Sequence, residues 1–220
     1  PKRIFNLLFT RAMNVKPTII GICGGSCSGK TYFTEKIEHH FLPSKVSTIS
    51  QDNYYKDLSG LSIEIREKNN FDHPNSIESL LLFKDLQKLK NGESIESPIY
   101  DFENHARSKF KNIINPKELI VVEGIFVFYF KNIRKLLDIS IFIDTPSKIR
   151  YERRLERDTK NRGRTKNSIE KQYFSMVKPM HNKFIEPYKK FSNFVISHNQ
   201  KSELSFNSLF KEIENLKKGK

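Results

Sequence analysis

A chain of 220 residues with 37% hydrophobic content has enough material for one α/β domain with a sizeable core. Its net charge of +14, from 39 Lys+Arg against 25 Asp+Glu, points to polyanionic partners, either nucleotide phosphates or nucleic acid. The lysines are scattered, however, and only the arginines gather, between Arg150 and Arg164. No apolar run approaches the ~20 residues of a transmembrane helix, so no membrane partner is expected. The two cysteines, Cys23 and Cys27, are too few for a zinc site and read as reduced thiols of a cytoplasmic protein.

Residues 1–16 are basic and acid-free and read as an N-terminal extension; residues 17–220 read as a single domain. Thr18-Ile19-Ile20-Gly21-Ile22-Cys23 is a β-branched apolar run expected to be a buried strand. Gly24-Gly25-Ser26-Cys27-Ser28-Gly29-Lys30-Thr31 then fits the phosphate-binding loop G-x-x-x-x-G-K-[ST]. Phe33, Ile37 and Phe41, four apart, predict one face of a helix over 31–41. Strand, glycine loop and helix are the context the motif requires. Glycines let backbone N–H groups turn toward an anion, and the helix adds its positive end. Lys30 is placed to reach the β/γ-phosphates and the Thr31 hydroxyl to bind Mg²⁺. The expected nucleotide-binding set is Gly24, Gly25, Ser26, Cys27, Ser28, Gly29, Lys30, Thr31 and Tyr32.

Further along, Val46-Ser47-Thr48-Ile49-Ser50 reads as a second strand, and 76–91, ending at Asn91-Gly92, as a helix. Residues 93–116 predict a small hairpin. Leu119-Ile120-Val121-Val122, Ile139-Ser140-Ile141-Phe142-Ile143 and Phe194-Val195-Ile196 read as strands, and 203–217 as a closing helix. Strands alternating with helices predict a doubly wound five-stranded parallel sheet of the P-loop NTPase type. Residues 147–187 read as a helical lid beside the cleft.

In such folds ligands sit at the carboxyl ends of the strands. Asp52 and Glu123 follow two strand runs and project toward the loop's phosphates. A carboxylate there can hold Mg²⁺ or take the proton of an attacking hydroxyl. Asp144 reads as a cap of the next helix. Arg150, Arg153, Arg154 and Arg157 fall at spacings of three and four, hence on one helical face, with Arg162-Gly163-Arg164 following. Such a face can close guanidinium groups over a transferring phosphoryl group; Glu152, Glu156 and Asp158 are possible surface partners for it.

These motifs continue in an order that resembles the uridine kinase (uridine–cytidine kinase) family over about 17–197. They are the phosphate loop, Ser50-Gln51-Asp52-x-x-Tyr55, Asn70-Phe71-Asp72-His73-Pro74 and Tyr100-Asp101-Phe102-x-x-His105-x-Arg107. Val122-Glu123-Gly124-Ile125, Arg153-Arg154-x-x-Arg157-Asp158, Arg162-Gly163-Arg164, Gln172-Tyr173 and Lys178-Pro179 come next. The resemblance implies transfer of the γ-phosphoryl group of ATP (or GTP) to the 5′-hydroxyl of uridine or cytidine, in pyrimidine salvage. It implies Asp52 as general base near the metal, and Thr31, Asp52 and Glu123 around Mg²⁺. It implies Asp72 on the ribose 2′- and 3′-hydroxyls, and Tyr100, Phe102 and His105 about the pyrimidine. Arg164 and Gln172 would complete the nucleoside pocket. Arg154 would bridge nucleoside and phosphate, with Arg157 and Arg162 on the phosphates. A homo-oligomer, a tetramer by resemblance, is expected, and no nucleic acid. Two features depart from the family: Cys27 stands where alanine is usual, and 197–201 does not match the usual segment near the adenine.

Two other readings compete. A phosphoribulokinase-like or pantothenate kinase-like enzyme would share the loop but not need the Tyr100 and His105 contacts. An ATP-using nucleic-acid-binding protein would need a continuous basic groove with interleaved aromatics.

Overall fold

The computed structural model describes residues 16–198 and 203–218. The N-terminal extension expected for 1–16, all but its last residue, and residues 219–220 lie outside the described residues, as does most of 197–201. The strands are β1 (Thr18–Cys23), β2 (Val46–Ser50), β3 (Ile95–Asp101), β4 (Ala106–Ile114), β5 (Leu119–Glu123), β6 (Ile139–Asp144) and β7 (Phe194–Ser197). The helices are α1 (Lys30–Phe41), α2 (Ile63–Glu67), α3 (Ser79–Lys90), α4 (Lys131–Arg134), α5 (Ser147–Arg162), α6 (Lys166–Gln172), α7 (Lys178–Phe184) and α8 (Glu203–Lys218).

Five strands form one parallel sheet in the order β2-β5-β1-β6-β7, and β3 with β4 forms a separate antiparallel hairpin. The five-stranded sheet and the hairpin agree with the sequence reading. The helix expected over 76–91 is shorter, Ser79–Lys90, because Pro74–Ser76 forms its own tight turn.

Strand side chains alternate between faces, and here both faces are covered. Ile19, Ile49, Ile120 and Val122 pack toward Leu82, Leu86 and Leu89 of α3. Ile20, Ile22, Leu119, Val121 and Ile141 pack toward Phe33 and Ile37 of α1 and Phe210 and Ile213 of α8. This explains why the strands read as unbroken apolar runs rather than alternating ones. Each such fully buried side chain contributes about 1.5–3 kcal/mol. Among the described residues no helix is long and apolar enough to cross a membrane.

Because β1 is flanked by β5 and β6, the chain leaves β1 toward β2 on one side and crosses to β6 on the other. The crevice opens at that switch point, next to the ends of β1, β2, β5 and β6. Gly124, just past β5, shows how tightly the crevice floor is packed. A Cβ there would lie 2.5 Å from Oε1 and 2.8 Å from Cδ of Gln51. Gln51 is fully buried, and its Oε1 accepts from the Phe126 N–H at 2.8 Å. Gly124→Ala must displace Gln51 and orphan that N–H. We expect a loss of about 2–3 kcal/mol, read in a thermal melt as a midpoint lower by roughly 5–10 °C; an unchanged midpoint would contradict this packing.

Candidate active site

The phosphate loop runs from β1 into α1. Gly24 has φ of 155° and Gly29 of 99°. A Cβ on Gly24 would meet the Ile143 carbonyl oxygen at 2.6 Å and Ser28 Oγ at 2.7 Å, so the sequence needs glycine there for space. Cys27 itself takes φ of 60°. Lys30 Nζ donates to the carbonyls of Gly24 and Gly25, each at 3.2 Å. The loop is braced from behind, where Thr145 Oγ1 donates to Ser28 O at 2.8 Å.

Most of the expected residues meet in one cavity of about 1450 Å³. That exceeds the ~300–1,000 Å³ of a pocket for a single small ligand and leaves room for two ligands. Its loop end is lined by Ser26, Cys27, Gly29, Lys30, Thr31 and Tyr32, its floor by Asp52 and Glu123, and its far wall by Asp72, Tyr100, Phe102 and His105. The roof is Arg154, Arg157, Arg162, Arg164 and Gln172. Of the expected set, Gly24, Gly25 and Ser28 do not line the cavity; they form the back of the loop.

Burial raises the Asp52 carboxyl above the ordinary carboxylate range, against the pull of Lys30, Arg157 and Arg162. Glu123 is raised by burial too; Lys30 lowers it, Asp52 pushes it up, and Ser50 Oγ donates to its Oε1 at 2.9 Å. Asp72 is 9% exposed and is also raised by burial, with Arg154 opposing. Three desolvated carboxylates facing a cluster of guanidinium groups make a site waiting for charge and donors from its ligands.

The far wall is aromatic. Phe71 and His105 stack with centroids 4.8 Å apart and planes at 19°. Tyr100 packs against Tyr55 and Phe102, and its buried OH has no hydrogen-bond partner among the described residues. Desolvation holds the His105 imidazole below its usual value, which favours the uncharged ring. Its backbone φ is 47°.

The roof is organised by Asp158, which is fully buried in α5. Arg157 Nε and Nη2 both lie 2.8 Å from its Oδ1. Arg154, Arg162 and Arg164 approach it at 3.4, 3.7 and 3.7 Å. Gln172 Oε1 accepts from Arg164 Nη1 at 2.7 Å and Arg154 Nη2 at 3.1 Å, and Arg154 Nη1 donates to Ser26 Oγ at 3.1 Å. Arg154 thus ties the roof to the phosphate loop.

Several sequence expectations need correction. Asp144 does not cap α5; Pro146 occupies that position, and Asp144 Oδ2 accepts from Lys189 Nζ at 2.6 Å. Glu156 pairs with Lys160, not with the arginines. Arg150 does not join the roof: it is 3% exposed and donates from Nε to Thr145 O, behind the loop. Its guanidinium Cζ and His181 Nδ1 would each lie 2.9 Å from a Cβ on Gly25. Arg150 and Arg157 are seven residues apart, so they share a face but sit about 10 Å apart along the helix. Arg153 lines the cavity, as the helical face predicts. Phe71 also lines it and Asp158 organises its roof, and sequence reasoning assigns neither of them to the site. An acid with arginines at −4, −1, +4 and +6 is the available signal for Asp158.

The sequence profile of the Phosphoribulokinase / Uridine kinase family matches residues 19–205. The chain belongs to this family. It is 44% identical over 199 residues to a uridine kinase from Staphylococcus carnosus, covering 90% of this chain and 96% of that protein. It is 43% identical over 204 residues to a uridine kinase from Listeria monocytogenes, covering 93% and 98%. Among solved structures, a possible uridine kinase from Bacillus stearothermophilus matches with a TM-score of 0.60 at 16% identity, over 88% of this chain and 96% of that one. Phosphoribulokinase from Rhodobacter spheroides matches with a TM-score of 0.62 at 16% identity, over 84% and 71%. These two share the fold. Family membership makes the chain a phosphotransferase with a nucleotide donor.

Proposed function

We propose that this protein transfers the γ-phosphoryl group of ATP (or GTP) to the 5′-hydroxyl of uridine or cytidine, giving UMP or CMP and ADP. One observation carries the reading: Lys30 and Asp52 share a single cavity with Asp72 and the stacked Phe71–His105 pair. A triphosphate at the loop and a nucleoside at the aromatic wall therefore meet over Asp52. The 43–44% identity to uridine kinases supports the same acceptor.

The phosphate loop and Lys30 hold the donor, with Tyr32 at its edge. The pyrimidine lies along Tyr100, Phe102 and His105, and Asp72 accepts from the ribose hydroxyls. Arg164 and Gln172 close that pocket, and Arg154 spans both substrates. Asp52 accepts the 5′-hydroxyl proton as that oxygen bonds to the γ-phosphorus and the bond to the β–γ bridging oxygen breaks. Arg157 and Arg162 neutralise charge on the moving phosphoryl group.

The donor set fits Mg²⁺. Thr31, Asp52 and Glu123 supply hard oxygens, and the repulsion between the two carboxylates is what a cation relieves. Among the described residues no group of three or more His, Cys, Asp and Glu forms a cage, which suits an ion that keeps water and phosphate oxygens as ligands. Mg²⁺ bound there would neutralise the triphosphate and fix its orientation.

Incubation with MgATP and a panel of nucleosides, with products identified by mass, tests the reading. Uridine and cytidine should give monophosphates; consumption of another acceptor alone would replace them. Within the panel, 2′-deoxyuridine should show kcat/KM at least about a hundredfold lower than uridine, because Asp72 would lose a donor in a buried site. Asp72→Ala should cut uridine use by a similar factor and narrow the discrimination. Equal use of ribo- and deoxynucleosides would take Asp72 out of ribose recognition.

A further inference from the structure

We infer that Arg66 is a positioning residue that sets the shape of the acceptor pocket from outside it; this rests on the nucleoside reading above. Arg66 is half-buried in α2 and does not line the cavity. All three edges of its guanidinium are engaged, each with a backbone carbonyl at 2.8 Å. Nε donates to Leu61 O, Nη2 to Ser59 O and Nη1 to Asn104 O. The first two fold the segment before α2 onto the arginine. The third joins that segment to the tip of the β3–β4 hairpin, 38 residues away.

The attachment point adjoins a strained residue. His105, next in the chain, takes the left-handed φ of 47° that side chains other than glycine seldom adopt. Such a conformation persists only where its surroundings over-determine it. Asp101 fixes the tip from within, accepting from the backbone N–H groups of Glu103 and Asn104 at 2.9 and 3.1 Å. At the far side of the turn, Arg107 anchors the strand through Tyr55 O at 2.9 Å. Arg66 clamps the peptide oxygen between these two, immediately before the strained residue. Holding Asn104 O in place keeps His105 turned so that its ring lies flat on Phe71. Released, the tip can relax to negative φ, the stack opens, and the acceptor wall loses its planar surface. The donor end of the cavity is untouched by this contact.

Arg66→Met keeps the aliphatic stem and removes the fork; Arg66→Lys keeps the charge but supplies one ammonium where three separated carbonyls need a planar donor. Amide hydrogen exchange at His105 and Ala106 should quicken about tenfold or more in both variants, the loss of one to two net hydrogen bonds. The KM for uridine should rise about tenfold, while the KM for ATP and kcat stay within about twofold. Unchanged exchange at the tip would overturn the clasp. Faster exchange with an unchanged uridine KM, or both KM values rising together, would reduce Arg66 to general support and equally overturn the inference. Should the wild-type protein phosphorylate no nucleoside, the functional reading fails, while the exchange measurement still decides whether the clasp exists.

Discussion

Asp52→Asn should lower kcat by about three orders of magnitude while leaving MgATP binding within a few-fold of wild type. An amide is close in shape to the carboxylate but cannot accept a proton, and general-base catalysis of this kind contributes roughly 10²–10⁴ in rate. Asp52 stands at the end of β2, beside Lys30 and across from Asp72, in the floor of the shared cavity. It is the carboxylate both substrates would face. Removing its charge also relieves its repulsion of Glu123, so the variant should fold at least as well as wild type, and a melt run beside the kinetics separates chemistry from stability. Full turnover by Asp52→Asn would remove it as the base; lost nucleotide affinity with intact kcat would recast it as a donor-site residue only.

The second large effect is expected at Asp158. Its carboxylate has no exposed surface and compensates guanidinium groups from four residues. Removing one partner of a buried ionic cluster costs about 3–5 kcal/mol. Arg157, Arg162 and Arg164 keep 28–41% of their side-chain surface in solvent, which discounts the figure to about 2–3 kcal/mol for Asp158→Ala. The catalytic cost should be larger than the stability cost. Arg154, Arg157 and Arg162 would spread apart under their own repulsion, and a displacement of about 1 Å at such groups is worth around a hundredfold in rate. Asp158→Asn, which keeps one acceptor for Arg157, should fall between. The melting midpoint and kcat/KM of the pair check this, and a fully active, wild-type-stable Asp158→Ala protein would show that the arginines hold their places without it.

The legible parts of the fold are those written locally. The apolar runs of β1, β5 and β6, the glycine loop and the four-residue spacing of Phe33, Ile37 and Phe41 each specify their element within a dozen residues. The carboxylates at strand ends are legible for the same reason: once the strands are placed, Asp52 and Glu123 fall at the crevice. What the sequence hides is pairing over distance. Asp144 finds Lys189, 45 positions on, rather than the helix it precedes. Arg66 finds Asn104 O through folding of the whole segment between them. Arg150 follows the helical period yet leaves the roof, because periodicity fixes the face of a helix but not how far along it a neighbour extends. Asp158 reads as one acid among surface charges until burial makes it the centre of the cluster.

On the proposed reading, one cavity brings a triphosphate and a pyrimidine ribonucleoside together for direct transfer. ATP labelled in its γ-phosphoryl group, mixed with uridine and Mg²⁺, tests it most directly. The label should be recovered on the 5′-oxygen as UMP, one for each ADP formed, and little should be released as free phosphate. Label appearing only as inorganic phosphate, or on another acceptor with uridine untouched, would contradict it.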